Sequence, residues 1–554
     1  MLLPLALLLL TLTAFSAAAA WRTRQRQLAR VREEWGHPRD QERDMAAIAE
    51  FFRAQADTNR SLDDRTWDDL LLDEVFAWID RGESRLGQQV LYDRLRSSRR
   101  APLAAFEALV ARVGDEASQR ERAQLTLYRL RDTSLYYVHR LARPHALNRE
   151  AWHALFPIWS ATILASLLLA FVWPPLLFSA LFAFIVNLVI RGSTGRRVSS
   201  EIASFRQVAP LLGAGRELVP IGTPDTAPIT GTLDADLKAL RRLRMIARWV
   251  SRDATSAGGE ILAAALEYIN VLLLMDINAL YFAGRELQSR GAHLLRVIET
   301  VGEIDAAIAV ASWRAGETGW TRPSFVADDA PAIFTDLTHP LLDQAVPNSL
   351  TAAPPHGVLV TGSNMSGKST FLRTVGVNVV LAQTVHTVLA AAYVAPRYQV
   401  RSCIGRSDDL VAGKSYYLVE VESVLALVRA SERSDPHLFI FDELFRGTNA
   451  VERIAAAESV LDTLVTTGRP HVVLAATHDG ELVDLLEHKY VVFHLGDAVG
   501  PDGLVFDYRL TAGPATSRNA ITLLRLNGAP ESLVSRAMAR AAALDRGRAG
   551  VRSG

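Results

Sequence analysis

One segment of this 554-residue chain constrains its fold more than any other. Residues 357–361 form a short apolar, partly β-branched run, and residues 371–388 have the apolar spacing of a helix. Between them, residues 362–369 follow the pattern Gly-x-x-x-x-Gly-Lys-Ser. A strand, such a loop and a helix in succession are typical of a phosphate-binding loop. The segment therefore predicts an α/β domain in which a buried strand leads into a nucleotide-binding helix.

The loop supplies the groups that a bound nucleotide requires. Its backbone N–H groups and the N-terminus of the helix would point at phosphate oxygens. Lys368 can reach the β and γ phosphates of ATP, and the Ser369 hydroxyl can coordinate Mg²⁺. The chain contains only four lysines, so a lysine at this place is not expected by chance. The predicted ATP-binding residues are Gly362, Ser363, Asn364, Met365, Ser366, Gly367, Lys368, Ser369 and Thr370.

A pair of adjacent carboxylates follows a second apolar run. Residues 438–441 are apolar and lead into Asp442 and Glu443, about 70 residues after the loop. Asp442 is predicted to hold Mg²⁺ together with Ser369, and Glu443 to orient and polarise the attacking water. An acidic turn at the end of a strand is common, and its position after a phosphate loop is what favours the catalytic interpretation.

A third apolar run, residues 472–476, leads into His478. An imidazole at the carboxyl end of such a strand would lie where a sensor of the γ phosphate is needed, although a histidine after a strand is often incidental. Residues 490–495 and 504–510 flank turn-forming residues and predict a β-hairpin.

Composition excludes several classes of protein. With 49% hydrophobic residues the chain is not intrinsically disordered, and a single cysteine, Cys403, allows neither an internal disulfide nor a zinc site of its own. The 60 basic residues balance 60 acidic residues, so the chain has no overall charge that would favour nucleic acid. A local basic stripe remains compatible with this balance.

The first apolar segment, Leu2–Ala20, contains no charged residue and is followed by Arg22, Arg24 and Arg26. Positive charges on the carboxy-terminal side favour an uncleaved membrane anchor whose following residues lie in the cytoplasm. A cleaved signal peptide is the alternative, since small residues before Trp21 would suit a cleavage site.

The second apolar segment, Phe156–Ile190, contains no ionised side chain, and Trp173-Pro174-Pro175 lies near its middle. Two successive prolines break a helix, so the segment predicts a transmembrane hairpin, and arginines on both sides place its ends in the cytoplasm. The arms would measure about 25 and 23 Å against a hydrocarbon core of ~30 Å. A hairpin that enters one leaflet and a hairpin buried in a protein core are the alternatives.

Several segments are similar to the motifs of one family. Thr361–Thr370 reads TGSNMSGKST and is similar to TGPNMGGKST, and residues 442–448 read DELFRGT and are similar to DELGRGT. Further likenesses lie at 339–342, 346–348, 407–410 with Gly413, Ser415 and Glu420, 476–478, 513–537, and upstream at 66–70, 87–95 and 298–325. In these motifs the chain resembles the MutS family of DNA mismatch repair proteins, a branch of the ABC-class ATPases.

The resemblance implies a carboxy-terminal α/β P-loop ATPase domain of the ABC class, preceded by a mostly α-helical core and lever-like domain. The apolar segments add N-terminal and internal transmembrane helices to this expected fold. About 40 residues separate the first apolar segment from the helical core, too few for the mismatch-reading domain of the family. The expected domains are an anchor at 1–20, a juxtamembrane helical segment at 21–60, the helical domain at 61–330 interrupted by the hairpin at 156–190, the ATPase domain at 331–545 and a disordered tail at 546–554.

The resemblance also implies a function. ATP binding and hydrolysis would change the conformation of a homodimer, coupled to binding of mismatched or structured DNA, with the chain anchored at the cytoplasmic membrane. Ser415 is expected to complete the site in trans, acting on the ATP held by Lys368 of the other subunit, while Glu443 and His478 act within one subunit. Phe445 stands where the family has a glycine. The alternatives are a membrane-bound ATPase scaffold that acts on a non-DNA partner and, third, an ABC transporter.

Overall fold

The chain divides into two compact units. The helical unit comprises residues 1–57 and 76–317, and the sheet unit comprises residues 58–75 and 318–554. The computed structural model describes residues 2–55, 62–97, 102–143, 154–250, 267–363, 365–405, 416–500, 503–515, 520–526 and 528–552.

Helices account for most of the described residues up to residue 317. Residues Thr133–Ala142, Pro174–Leu176 and Val219–Ile221 are 3₁₀ turns. The α-helices are α1 (Leu2–Glu33), α2 (Met45–Gln55), α3 (Asp64–Asp69), α4 (Leu72–Ile79), α5 (Arg85–Arg96), α6 (Leu103–Asp115), α7 (Ala117–Leu127), α8 (Leu155–Leu169), α9 (Leu177–Arg206), α10 (Val208–Leu218), α11 (Ala227–Thr230), α12 (Leu233–Ala239), α13 (Arg241–Val250) and α14 (Met275–Gly316). Of these, α3 belongs to the sheet unit, and the chain passes into the helical unit within α4.

The core of the helical unit forms around α14, against which α5 packs closely. A Cβ atom added at Gly302 would lie 2.3 Å from Val90 Cγ2, so only glycine permits this approach. The buried carboxylate of Asp305 accepts hydrogen bonds from the backbone N–H groups of Glu83 (2.9 Å) and Ser84 (2.7 Å), just before α5 begins. Burial raises the pKa of Asp305 to about 6. The polar contact thus fixes where α5 begins along α14.

The predicted transmembrane helices are wrong. Among the helices in the described part of the chain, none combines the length and the apolarity needed to cross a bilayer. The helix α8 has 15 residues, which span about 22 Å at 1.5 Å per residue. The helix α9 does not end with the apolar segment but continues to Arg206, and α1 continues to Glu33.

Polar contacts attach the predicted hairpin to the helical unit. Asn187 Nδ2 donates to the carbonyl oxygen of Leu272 (2.6 Å), and Ser160 Oγ donates to that of Leu273 (2.8 Å). Phe156 lies in a small apolar cluster with Leu274. The hairpin therefore packs on the residues just before α14, and the predicted location at the cytoplasmic membrane, through residues 2–20 and 156–190, is wrong on the same finding.

The sheet unit contains twelve described strands and six described helices after residue 317. The strands are β1 (Trp320–Thr321), β2 (Ser324–Phe325), β3 (Ala332–Leu337), β4 (Asn348–Ala352), β5 (Gly357–Thr361), β6 (Val388–Leu389), β7 (Ala392–Ala395), β8 (Gln399–Ile404), β9 (His437–Asp442), β10 (Val472–Thr477), β11 (Tyr490–Gly500) and β12 (Gly503–Ala512). The helices are α15 (Lys368–Val385), α16 (Tyr416–Ala430), α17 (Ala450–Thr466), α18 (Gly480–Leu486), α19 (Ala520–Leu526) and α20 (Glu531–Arg552).

A six-stranded sheet of order β12-β11-β5-β10-β9-β8 forms the centre of this unit. All neighbouring strands are parallel except β11 and β12, which pair as an antiparallel hairpin. Every residue of β5, β9 and β10 is buried, as expected for central parallel strands. Because these strands are parallel and adjacent, their carboxyl ends meet at one edge of the sheet, where ligands bind in open α/β sheets.

Candidate nucleotide-binding site

The loop between β5 and α15 has a backbone that requires glycine at two points. Gly362 has φ +150° and Gly367 has φ +97°, in the region that other residues rarely adopt. A Cβ atom at Gly362 would lie 2.6 Å from Ser366 Oγ. Met365 has φ +76° and its side chain is 82% exposed. The Gly-x-x-x-x-Gly spacing in the sequence therefore corresponds to a tight loop whose tip faces outward.

Lys368 is the first residue of α15 and is buried beneath the loop. Its ammonium group donates hydrogen bonds to the carbonyl oxygens of Gly362 (2.9 Å) and Ser363 (2.7 Å), and its Nζ lies 3.8 Å from Glu443 Oε1. The positive charge thus lies inside the loop, at the N-terminus of a helix. Both features favour an anion at this point.

Ser369 and Asp442 meet across the edge of the sheet. The Ser369 hydroxyl donates a hydrogen bond to Asp442 Oδ2, and Asp442 is the last residue of β9. The other carboxylate oxygen of Asp442 and the hydroxyls of Ser363 and Ser366 are buried without a hydrogen-bond partner in the described structure. A buried polar atom without a hydrogen-bond partner is costly in free energy. A carboxylate oxygen is a ligand that Mg²⁺ prefers, and serine hydroxyls can donate hydrogen bonds to phosphate oxygens. The residues present fit a nucleotide with its Mg²⁺.

Glu443 follows Asp442 and lies among cationic groups. Its backbone has φ +53°, and its N–H donates to the carbonyl oxygen of Ala476 on β10 (3.0 Å). His478 Nδ1 lies 3.0 Å from Glu443 Oε2, and Arg446 forms an ion pair with the same oxygen. Glu443 and His478, separated by 35 positions in the chain, are therefore adjacent in space.

The contact between Glu443 and His478 lowers the pKa of the carboxyl group and raises the pKa of the imidazole. Burial alone would raise the pKa of Glu443, but the hydrogen bond from His478 and the positive charges of His478, Arg446 and Lys368 outweigh it and lower that pKa. The same hydrogen bond raises the pKa of His478. Glu443 is consequently held as a carboxylate, the form that can accept a hydrogen bond from water.

Two further ion pairs lie at this edge, and the second has no signature in the sequence. One joins Arg446 to Glu443. The other joins Arg453 in α17 to Asp479 at the start of α18, with a bidentate contact of 3.0 and 2.7 Å. Asp479 follows His478, so the second pair fixes the turn that carries the imidazole. Only the packing of α17 on the sheet brings Arg453 and Asp479 together, and no local spacing in the sequence predicts this ion pair.

Phe445, the residue that replaces a glycine in the resembling motif, has φ +60° and is 5% exposed. Its N–H donates to Glu420 Oε1 (2.6 Å), and its ring packs edge-on against Tyr417 at 6.4 Å between ring centroids. Glu420 and Tyr417 both belong to α16. The turn after Glu443 is thereby attached to the helix that follows the predicted signature segment.

Not all predicted site residues can be placed. The structure brings together Gly362, Ser363, Ser366, Gly367, Lys368, Ser369, Asp442, Glu443 and His478, with Met365 and Thr370 exposed beside them. Asn364 and Ser415, with residues 406–415, lie outside the described residues. Within the described structure, no group of three or more His, Cys, Asp and Glu residues could hold a metal ion by itself.

The fold and the site together define a P-loop nucleotide-binding domain. Residues 358–545 match the family model of MutS domain V. The DNA mismatch repair protein MutS of Thermus thermophilus is 35% identical over 277 residues, which are 49% of this chain and 33% of that protein. MutS of Thermus aquaticus is 34% identical over 260 residues, 46% of this chain and 31% of that protein.

A more distant relative covers more of the chain. MutS 1 of Halobacterium salinarum is 31% identical over 327 residues, 58% of this chain and 36% of that protein. Residues 358–545 belong to the MutS domain V family, and the relatives that the chain matches are MutS proteins, as its motifs predict. It spans about a third of the length of the curated relatives it matches.

Proposed function

We propose that the chain binds and hydrolyses ATP, with Mg²⁺, at the edge formed by β5, β9 and β10. The observation that carries this proposal is the convergence of Lys368, Ser369, Asp442 and Glu443 on one glycine-rich loop. Family membership supports it, since the matched domain is the P-loop domain of MutS proteins.

Each residue has a distinct part in the proposed reaction. Lys368 and the loop N–H groups bind the β and γ phosphates and offset their charge. Ser369 and Asp442 would hold Mg²⁺, which when bound neutralises charge on the phosphates. Glu443, ionised and held by His478 and Arg446, orients the attacking water and accepts a hydrogen bond from it. His478, 44% exposed, is in a position to sense the γ phosphate through Glu443.

Replacement of Glu443 tests hydrolysis separately from binding. Glu443→Gln keeps the shape but removes the charge, so the variant is expected to bind ATP while its turnover falls at least about 100-fold, as for a lost general base. Glu432→Gln, at an exposed site of the same unit, is the matched control. Turnover by Glu443→Gln equal to that of the wild type would remove Glu443 as the water-orienting residue.

The proposal extends to a dimer in which Ser415 of one subunit completes the site of the other. Mixed dimers of Ser415→Ala and Lys368→Ala chains test it. If Ser415 acts in trans, one of the two sites lacks both groups and the other keeps both, so about half of the wild-type activity is recovered. If Ser415 acts within its own subunit, the mixed dimer is as inactive as either parent.

We further propose DNA as the ligand coupled to ATP, supported by the family and by a basic stripe on α13. Arg241, Arg244 and Arg248 recur at helical spacing on that helix, and Arg241 and Arg248 are exposed. Burial and the nearby charges of Arg216 and Arg248 lower the pKa of Arg244, as expected where cations crowd together. Phosphate groups of DNA would offset this local positive charge.

Salt dependence is the measurement for this stripe. Replacing Arg241, Arg244 and Arg248 with Gln is expected to reduce the slope of log affinity against log salt by up to about 3, since each duplex phosphate contact contributes about 0.9. The control replaces three exposed arginines of the sheet unit, Arg429, Arg433 and Arg469. If the wild-type protein with ATP retains neither duplex, mismatched nor branched DNA at low salt, the partner is not DNA.

A further inference from the structure

A segment nearly 300 residues before the phosphate loop lies along an edge of the central sheet. Strand β8 is the last strand on its side, so its outward N–H groups have no neighbouring strand to receive them. The helix α3 supplies the acceptors instead. Ser402 N donates to Thr66 Oγ1 (3.1 Å), and Ile404 N donates to Asp69 Oδ2 (2.9 Å). The side chains of α3 thus take the place of a seventh strand.

Asp69 makes the central contact of this attachment. Its carboxylate is buried and its Oδ2 accepts a second hydrogen bond, from Ser402 Oγ (2.8 Å). Arg65, one turn earlier in α3, places its Nε 3.8 Å from the same oxygen. A buried carboxylate is costly without such donors. These contacts fix Asp69 against the carboxyl end of β8 rather than at its middle.

The same segment is also attached to the helix that begins at the phosphate loop. Arg373 Nε in α15 donates to the backbone carbonyl oxygen of Asp69 (2.8 Å). Leu70, fully buried, packs against Gly376, where an added Cβ atom would lie 2.6 Å from Leu70 Cδ2. Residues 69 and 70 therefore contact both β8 and α15.

Each of these two contacts involves a residue that neighbours Ser369 or Asp442, the pair that would hold Mg²⁺, either in strand register or one helical turn away. Ile404, which donates to Asp69, is the register partner of Asp442 in the β8–β9 pair. Arg373 lies one helical turn after Ser369 in α15. Asp69 therefore connects the element that carries Asp442 with the element that carries Ser369.

We propose that Asp69 is a positioning residue for the metal pair: by holding β8 against α15 it fixes the separation of the Ser369 hydroxyl and the Asp442 carboxylate. The proposal rests on the proposed function at this site, because a metal-holding role for Ser369 and Asp442 is part of it. Replacing a residue that orients a metal ligand without itself binding the metal typically changes the metal affinity 10–100-fold.

Nucleotide binding measured with and without Mg²⁺ separates this role from general stability. A fluorescent ATP analogue is titrated into the full chain in EDTA and then at increasing Mg²⁺. Asp69→Ala is expected to bind the analogue in EDTA as the wild type does, but to need about tenfold more Mg²⁺ for the tighter binding. Asp69→Asn, which keeps one acceptor oxygen, is expected to restore most of the Mg²⁺ response. Asp68→Ala, at the exposed neighbouring residue, is the control.

The outcomes that contradict the proposal are specific. Equal Mg²⁺ requirements for Asp69→Ala and wild type would overturn it, and so would a loss of binding by that variant that is as large in EDTA as in Mg²⁺. If Asp69→Ala does not fold, Ser402→Ala decides, since it removes one of the two hydrogen bonds. It should raise the Mg²⁺ requirement about threefold, and no change would overturn the proposal. If the wild-type protein binds no nucleotide, the proposed function itself is contradicted.

Discussion

At the scale of single residues, charge decides the chemistry at the carboxyl end of β9. Glu443 is 7% exposed, and the cationic groups of Lys368, Arg446 and His478 all lie near its carboxylate. Burial opposes ionisation and the cations favour it, and the lowered pKa shows that the cations prevail. A residue that orients water must be ionised near neutral pH, so the surroundings of Glu443 suit the role proposed for it.

The Glu443–His478 pair predicts a pH window for stability. The lowered pKa of Glu443 stabilises the fold above its ordinary value of 4.5, and that stabilisation is lost as the pH falls through the lowered pKa. The raised pKa of His478 stabilises the fold below 6.5, and that stabilisation is lost as the pH rises through the raised pKa. Both contributions are present together between these two ordinary values.

His478→Gln should therefore destabilise the protein most between about pH 5 and 6.5 and least near pH 9. The difference in the free energy of unfolding should stay within about 1 kcal/mol, because a partly exposed pair is screened by water. Urea denaturation of both proteins across this range is the measurement. A difference that grows steadily toward pH 9 would have the wrong sign.

Replacement of Phe445 by glycine has two effects of opposite sign on the free energy of unfolding. A non-glycine residue at φ +60° costs roughly 1–2 kcal/mol, which Phe445→Gly would recover. The same change removes a buried aromatic ring, which costs about 3–5 kcal/mol. We therefore expect Phe445→Gly to lower the free energy of unfolding of the sheet unit by about 2 kcal/mol. A variant as stable as the wild type, by urea denaturation, would contradict this expectation, because backbone strain would then offset the whole loss of the ring.

At the scale of elements, close helix packing in the helical unit depends on glycine at particular positions. At Gly302 an added Cβ atom would lie 2.9 Å from the backbone oxygen of Leu86 as well as against Val90, whereas at Gly213 in α10 nothing lies within 4 Å. Both glycines are inside helices of the same unit, so they differ mainly in the space around them.

Gly302→Ala should destabilise the helical unit by roughly 1–3 kcal/mol, because the backbone of α5 must move away from α14. Gly213→Ala should be neutral or stabilising by up to about 1 kcal/mol, since alanine favours a helix more than glycine does. Thermal melting of the two variants beside the wild type measures the difference. Equal melting temperatures for both variants would contradict the close approach of α5 and α14.

Local patterns predicted the elements that a few neighbouring residues determine. The strand before Gly362, the strand that ends at Asp442 and the hairpin at 490–500 and 503–512 follow from alternation and turn residues within about 20 positions. The attachment of α3 to β8 could not be predicted, because Asp69 and Ile404 are separated by 335 positions and the likeness at 66–70 does not indicate a partner in the sheet.

The membrane prediction failed for a different reason. The absence of charge over Phe156–Ile190 favours a lipid-facing surface when hydropathy alone is considered. In the structure Asn187 and Ser160, two polar residues of that stretch, donate hydrogen bonds to the backbone oxygens of residues 272 and 273. Apolar side chains of the same stretch, such as Phe171 and Phe178, remain exposed, so an uncharged run alone does not show what its surface contacts.

At the scale of the whole molecule, balanced charge and local charge have different consequences. The 60 positive and 60 negative residues give no net attraction for DNA, so any DNA binding has to come from a local surface such as α13. The proposal of ATP binding is independent of that surface. It depends only on residues of the sheet unit, whose strands and loop match the family over residues 358–545.

Equilibrium binding of ATP is the most direct test of the central claim, that the loop between β5 and α15 is a nucleotide site. The full-length chain, Lys368→Ala and the control Lys238→Ala, whose side chain is 76% exposed in the helical unit, are titrated with a fluorescent ATP analogue in Mg²⁺. We expect tight binding by the wild type and the control, and at least a 100-fold loss for Lys368→Ala, since removing a buried charge contact to phosphate costs about 3 kcal/mol or more. Equal affinity of Lys368→Ala and the wild type, or no binding by the wild type, would contradict the claim.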